Sequence, residues 1–118
     1  MEFKIIKSHV CDNPYPLNVK LGEKVRVGSK SSIEDGWENW VYCYQVNGLG
    51  EGWAPMQLIR IEGMFGTVTE DYSAQELNVC YGEVVRGEKE LNGWIWCKCE
   101  LRNGEVGWLP IENLMRLE

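Results

Sequence analysis

The stretch Leu17-Asn18-Val19-Lys20-Leu21-Gly22-Glu23 returns sixty residues later as Leu77-Asn78-Val79-Cys80-Tyr81-Gly82-Glu83. The residues beyond each copy repeat as well. Trp40-Val41-Tyr42-Cys43 matches Trp94-Ile95-Trp96-Cys97, Asn47-Gly48 matches Asn103-Gly104, and Gly52-Trp53-Ala54-Pro55 matches Gly107-Trp108-Leu109-Pro110. Self-similarity at a fixed period sets the architecture before any local motif does. Two copies of about sixty residues are too few and too long for a solenoid, so the repeat predicts two small homologous domains, 1–62 and 63–118. The break falls near Glu62-Gly63-Met64, where apolar Met64 and Phe65 replace the polar linker usual between independent domains. Those two residues fit either packing between domains or the first strand of the second one.

Short apolar runs punctuated by Gly, Asn and Pro recur in both copies, and no stretch carries a helical period. Val25-Arg26-Val27, Trp40 to Val46 and Trp94 to Leu101 alternate or run apolar as half-buried strands do. Asn47-Gly48 and Asn103-Gly104 suit type I′ hairpins, whose two central residues need positive φ. Each copy therefore reads as an all-β unit of about five short strands. Pro55 and Pro110 each end a strand, and the residues after them fit a single 3₁₀ turn.

The chain has 118 residues with a net charge of −6 and a pI near 4.9, a field that repels phosphate backbones and anionic lipid heads. Nucleic acid and membrane are thus disfavoured as partners. The first residues, Met1 to His9, interrupt their apolar character too often for a signal-peptide core, and no window reaches the ~18 apolar residues of a membrane helix. The expectation is a soluble, cytoplasmic protein. Five cysteines are an odd count, which argues against a closed disulfide framework, and one histidine, His9, supplies too few partners for a metal site. No cofactor is expected. Cys43 and Cys97, at matching positions, read as small buried strand residues, whereas Cys80, in a turn, should be accessible.

The second half places Val68-Thr69-Glu70-Asp71-Tyr72, Glu76-Leu77-Asn78-Val79, Tyr81-Gly82-Glu83-Val84-Val85, Gly93-Trp94 and Gly107-Trp108-Leu109-Pro110 in order. That order, over residues 66–118, resembles the Src-homology-3 (SH3) domain, with its Ala-Leu-Tyr-Asp-Tyr, Glu-Leu-Ser-Phe, Lys-Gly-Asp, Trp-Trp and Gly-Tyr-x-Pro elements. The first half matches more loosely, since Ile5-Ile6-Lys7-Ser8-His9-Val10 lacks the acidic-Tyr signature. The whole looks like a prokaryotic tandem of variant SH3 domains. The resemblance implies two small β-barrels, each with a ligand groove lined by aromatics. It places Tyr72, Trp94, Trp108 and Pro110 in the second groove, and Trp40, Trp53 and Pro55 in the first, joined by Tyr15 from the Asn13-Pro14-Tyr15-Pro16 loop. Trp37 is an alternative wall for that groove. For a lone tryptophan, packing in a core or between domains is the competing reading. Strand alternation nevertheless turns some of these aromatics outward.

The departures bear on function. Glu70 stands where the family has its first motif tyrosine, Asn113 and Leu58 stand where it has a groove tyrosine after the last proline, and the loop from Tyr72 to Leu77 is short. A polyproline helix needs aromatic ridges at the spacing of its three-residue turn, so their loss weakens that ligand class. The reading that remains is a non-catalytic module recognising a peptide or protein partner, basic or proline-rich. Glu70, Asp71, Glu76 and Asp12 would supply the acidic complement if they are more than solvated loop charges. The alternatives are a cell-wall or peptidoglycan-binding module, and a structural unit whose aromatics close an oligomer interface. An enzyme is the least favoured class, because no nucleophile with a base and no phosphate loop is present.

Overall fold

The computed structural model describes residues 1–32, 34 and 38–117. Trp37 lies outside the described residues. Period-two alternation yields twelve strands: β1 (Glu2–Ile5), β2 (Asn18–Val19), β3 (Lys24–Lys30), β4 (Trp40–Gln45), β5 (Glu51–Pro55), β6 (Ile59–Glu62), β7 (Phe65–Val68), β8 (Tyr72–Ser73), β9 (Val84–Leu91), β10 (Trp94–Cys99), β11 (Glu105–Pro110) and β12 (Leu114–Arg116). Single 3₁₀ turns follow Pro55 and Pro110, at Met56–Leu58 and Ile111–Asn113, and a third covers Glu100–Arg102. There is no α-helix among the described residues.

The chain forms two compact units, but their boundaries differ from those of the repeat. One unit is contiguous, Asn13–Ala74; the other is a composite of Met1–Asp12 with Gln75–Glu118. The contiguous unit carries an antiparallel sheet in the order β5-β4-β3-β7-β6 and the small pair β2-β8. The composite unit carries the order β11-β10-β9-β1-β12. The expected break at residues 62–65 is therefore corrected. Glu62 pairs with Phe65 across Gly63, so that point is the turn of the β6-β7 hairpin inside one sheet. The sequence repeat is real, but each copy gives its opening strand to the other copy's sheet.

Matching hydrogen bonds establish the exchange. In the contiguous unit the Val68 amide donates to the Glu23 carbonyl (2.9 Å) and the Gly22 amide to the Val68 carbonyl (2.7 Å). In the composite unit the Ile5 amide donates to the Glu83 carbonyl and the Gly82 amide to the Ile5 carbonyl, both 2.8 Å. Glu23 and Gly22 stand sixty residues before Glu83 and Gly82. Ile5 and Val68 thus hold one structural place, and both are fully buried.

Each sheet has a solvent-excluded face. In the composite unit Ile5, Leu77, Val79, Val85, Ile95, Cys97, Cys99 and Leu109 form one cluster, with Phe3 and Leu114 against it. In the contiguous unit Leu17, Val19, Val25, Val41, Cys43, Ala54 and Val68 are buried. The sheets are open, which corrects the expectation of closed barrels. Their outer strands meet loop backbone instead of each other: Trp108 exchanges bonds with Gln75 and Leu77, and the Glu51 amide donates to Tyr15. Covering an edge in this way removes the unpaired donors that invite aggregation. The close approach explains Gly107, where a Cβ would sit 2.8 Å from the backbone of Glu76 and Leu77.

The Gly-Glu of the repeated stretch also has a local role. Glu23 accepts from the Lys20 amide (3.2 Å), and Glu83 accepts from the Cys80 amide, so each side chain closes its own turn. Of the two expected hairpin turns, Asn103 and Gly104 both take positive φ, whereas at Asn47-Gly48 only the glycine does. Asn47 accepts from the Leu49 amide instead. A further pair, Asn92 and Gly93, has positive φ at both residues and joins β9 to β10 in a two-residue turn.

This packing has consequences for thiol and carboxylate chemistry. Burial raises the thiol of Cys43 to about 11 and, with a smaller push from Glu88, that of Cys97 to about 12, while Cys80 is exposed. Native labelling at about pH 8 should therefore modify Cys80 first and leave Cys43, Cys97 and Cys99 until the protein unfolds, as peptide mass mapping would read. Glu83 receives Arg102 through Nε (2.6 Å) and Nη2 (2.9 Å), which with the Cys80 amide holds its carboxyl below the usual range. Its contribution to stability is complete above the unfolded value of ~4.3 and is lost as pH falls through the lower folded value. Glu83→Gln should flatten that acid limb in denaturation curves taken from about pH 7 to about pH 3.

Candidate functional site

Opposed residues in an antiparallel ladder project from the same face. On β4 and β5 the pairs on the face opposite Val41 and Cys43 are Trp40 with Pro55, both buried, Tyr42 with Trp53 and Tyr44 with Glu51. On β10 and β11 they are Trp94 with Pro110, Trp96 with Trp108 and Lys98 with Val106. Both sheets thus carry an aromatic ladder that begins with a Trp–Pro pair. Ring edges meet ring faces along it: Tyr42 to Trp53 at 5.2 Å, Tyr42 to Tyr44 at 5.2 Å and Trp96 to Trp108 at 5.3 Å between centroids. Such pairs add ~0.5–1.5 kcal/mol beyond the area they bury.

The contiguous unit's ladder has a polar end. The Tyr42 hydroxyl donates to Glu51 Oε2 at 2.6 Å, and burial, with this bond to Glu51, pushes the phenol up to about 12. The Arg26 guanidinium lies 4.1 Å above the Tyr44 ring, a cation–π contact. Tyr72 belongs to this unit, because β8 pairs with β2. Its hydroxyl donates to the Trp53 carbonyl at 3.0 Å. Asp71 accepts from the Leu21 amide at 2.8 Å with Lys20 at 4.0 Å, so this carboxylate ties down a turn. Glu70 is exposed, and so is Tyr15, at 70%.

The composite unit places histidine where the contiguous one has tyrosine. His9 bridges to Val79 as Tyr72 pairs with Val19. Its Nε2 lies 2.6 Å from Glu76 Oε1, and its ring meets Trp94 edge-on at 5.7 Å. The carboxylate and the indole fix the imidazole, whose side chain is 17% exposed. Asn113 is buried, and its amide donates to the carbonyls of Lys7 (3.1 Å) and Ser8 (3.3 Å). It anchors the segment that carries His9.

A family model described as the variant SH3 domain matches residues 3–62, half of the chain. The chain belongs to the variant SH3 domain family. No curated protein and no solved structure matches it. The match falls on the first copy, the looser of the two in its sequence pattern. It also runs across the strand exchange, from β1 of the composite unit to β6 of the contiguous one. SH3-type domains are generally protein-interaction modules.

Trp40, Trp53, Pro55, Tyr72, Tyr15, Glu70 and Asp71 belong to the contiguous unit, and Trp94, Trp108 and Pro110 to the composite one. The expected second groove is thus split, since Tyr72 leaves it and His9 takes its place. Trp94, Trp53 and Pro110 are half-buried, whereas Trp40, Pro55, Tyr72 and Trp108 are buried. Trp94 and Trp108, both placed in the expected second groove, are not exposed side by side: Trp94 faces Pro110, and Trp108, opposite Trp96, is 8% exposed. The sequence pattern hides His9 because it stands eight residues before Leu17, whereas Tyr72 stands five before Leu77. The short Tyr72–Leu77 loop has the same origin, for it carries the chain from one unit to the other. Trp108→Ala should cost about 3–5 kcal/mol of stability, as large aromatic truncations in cores do, and Trp94→Ala clearly less, as urea midpoints would show.

Proposed function

We propose that this chain is a non-catalytic binding protein whose two units recognise extended peptide segments of a partner protein through their aromatic ladders. The observation that carries the reading is a half-buried tryptophan on each ladder, Trp53 opposite Tyr42 and Trp94 opposite Pro110. Aromatic rings supply large contact area at small entropic cost, and half-buried Trp53 and Trp94 are the natural anchors. Net charge of −6 together with exposed Glu70 favours a basic segment. A polyproline helix suits the site less well, since Leu58 and Asn113 are both buried where the family offers a tyrosine ridge. With two ladders on one chain, tandem ligands would gain avidity of roughly 10²–10⁴ wherever a linker lets both engage.

Titrating the isotope-labelled protein with a basic and with a proline-rich peptide tests this. The basic peptide should shift the indole resonances of Trp53 and Trp94 more strongly. Trp94→Ala or Trp53→Ala should each weaken binding by about 1–4 kcal/mol while the protein stays folded. Indole resonances unmoved by either peptide would sink the reading and leave the ladders as packing.

A further inference from the structure

Side-chain size decides which opening strand enters which sheet. Phe3 sits opposite Val85 on the inward face of β1, packed on the composite core. It has room because β9 carries Gly87, where a Cβ would lie 2.6 Å from the Phe3 ring and 2.9 Å from Ile95 Cγ2. In the contiguous unit the place of Gly87 is taken by Val27, since Val27 faces Cys43 as Gly87 faces Cys97. The place of Phe3 is taken there by Gly66, opposite Val25, where a Cβ would lie only 2.4 Å from Ile59 Cγ2. Large meets small in one sheet and small meets large in the other. Had each strand joined its own copy, Phe3 would collide with Val27 and Ile59, and Gly66 would leave a void over Gly87. The residues encode the exchange.

We infer that the partner for this coded strand includes a second copy of the chain: segment 1–12 is transferable, and two chains exchange it reciprocally to form a two-fold dimer. This goes beyond the peptide-binding reading and does not depend on it. The bonds that β1 makes are to residues 75–118, which another chain offers in identical form. The crossing is very short. The Cys11 amide donates to Asn78 in the composite unit, and the Asn13 side chain donates to the Glu51 carbonyl in the contiguous one, which leaves Asp12 alone between the two anchorages. Short hinges invite exchange between chains. Asn13 and Tyr15 each precede a proline, which biases both toward extended backbone and limits how the hinge can fold back. Val10 and Tyr15, at 73% and 70% exposure, flank the hinge as apolar surface that a second chain would cover. Exchange of an identical element closes with two-fold symmetry and needs no new interface.

A pair of complementary variants tests the inference on the full chain. One carries Phe3→Gly and the other Gly87→Val, and each alone mismatches its own composite sheet, the first by a void and the second by a clash. When the two are unfolded together and refolded, exchange sets the new glycine of one chain against the new valine of the other in one sheet. The second sheet then regains the native pairing of Phe3 with Gly87. Native mass spectrometry and light scattering should find a 1:1 heterodimer that melts above either variant alone. A single chain with both Phe3→Gly and Gly87→Val should recover part of the melting temperature lost by the Gly87→Val variant, the remaining loss being the contact with Ile95 Cγ2. Two separate monomers in the mixed sample would overturn the exchange between chains. A double variant no more stable than Gly87→Val alone would overturn the size code itself.

Discussion

The ladder that β1 makes on its two sides is the constraint on which the composite unit depends. β9 and β12 are joined only through it, so without Glu2–Ile5 the sheet divides into β11-β10-β9 and a detached β12. The core would open along the same line, because Ile5 and Phe3 fill the space between Val85 and Leu114. β7 holds the corresponding place between β3 and β6 in the contiguous unit. An interior strand has two neighbours to lose, and here one interior strand of each sheet comes from the other copy of the repeat. Stability in both units therefore rests on contacts between residues far apart in sequence, a topology that folds slowly for its size.

The exchange also makes the two sites chemically unlike. The contiguous unit has a phenol, Tyr72, hydrogen-bonded to the strand that carries Trp53. The composite unit has an imidazole, His9, between Glu76 and Trp94. Leu58 is simply buried where Asn113 ties the His9 segment to the sheet through Lys7 and Ser8. The ladders differ in the same sense, with Tyr44 and Glu51 in one and Lys98 and Val106 in the other. The two like backbones thus present different hydrogen-bonding groups.

Much of the fold could be read from residue order. Alternation along Trp40–Gln45 and Trp94–Cys99 located the strands and assigned Cys43 and Cys97 to the core, and the prolines after each Trp strand located the 3₁₀ turns. What escaped reading was partnership. Ile5 and Val68 are equivalent in place yet unlike in their surroundings in sequence, and no period reveals that a strand pairs outside its own copy. The clue was steric and faint, a phenylalanine and a glycine at matching places. The groove suffered for the same reason: Tyr72 carries the family motif but serves the other unit, and His9, lacking that motif, took its position. Exposure was misjudged where a neighbour shields an outward residue, as Trp96 does Trp108.

A repeat whose copies each complete their own sheet can lose one copy and still fold. Phe3 over Gly87 and Gly66 beneath Ile59 remove that freedom, since neither copy keeps a strand that fits its own sheet. Loss of either half leaves an orphan strand and an unfinished sheet together. The two halves of the chain are therefore interlocked: neither can be removed without taking an interior strand out of the other's sheet.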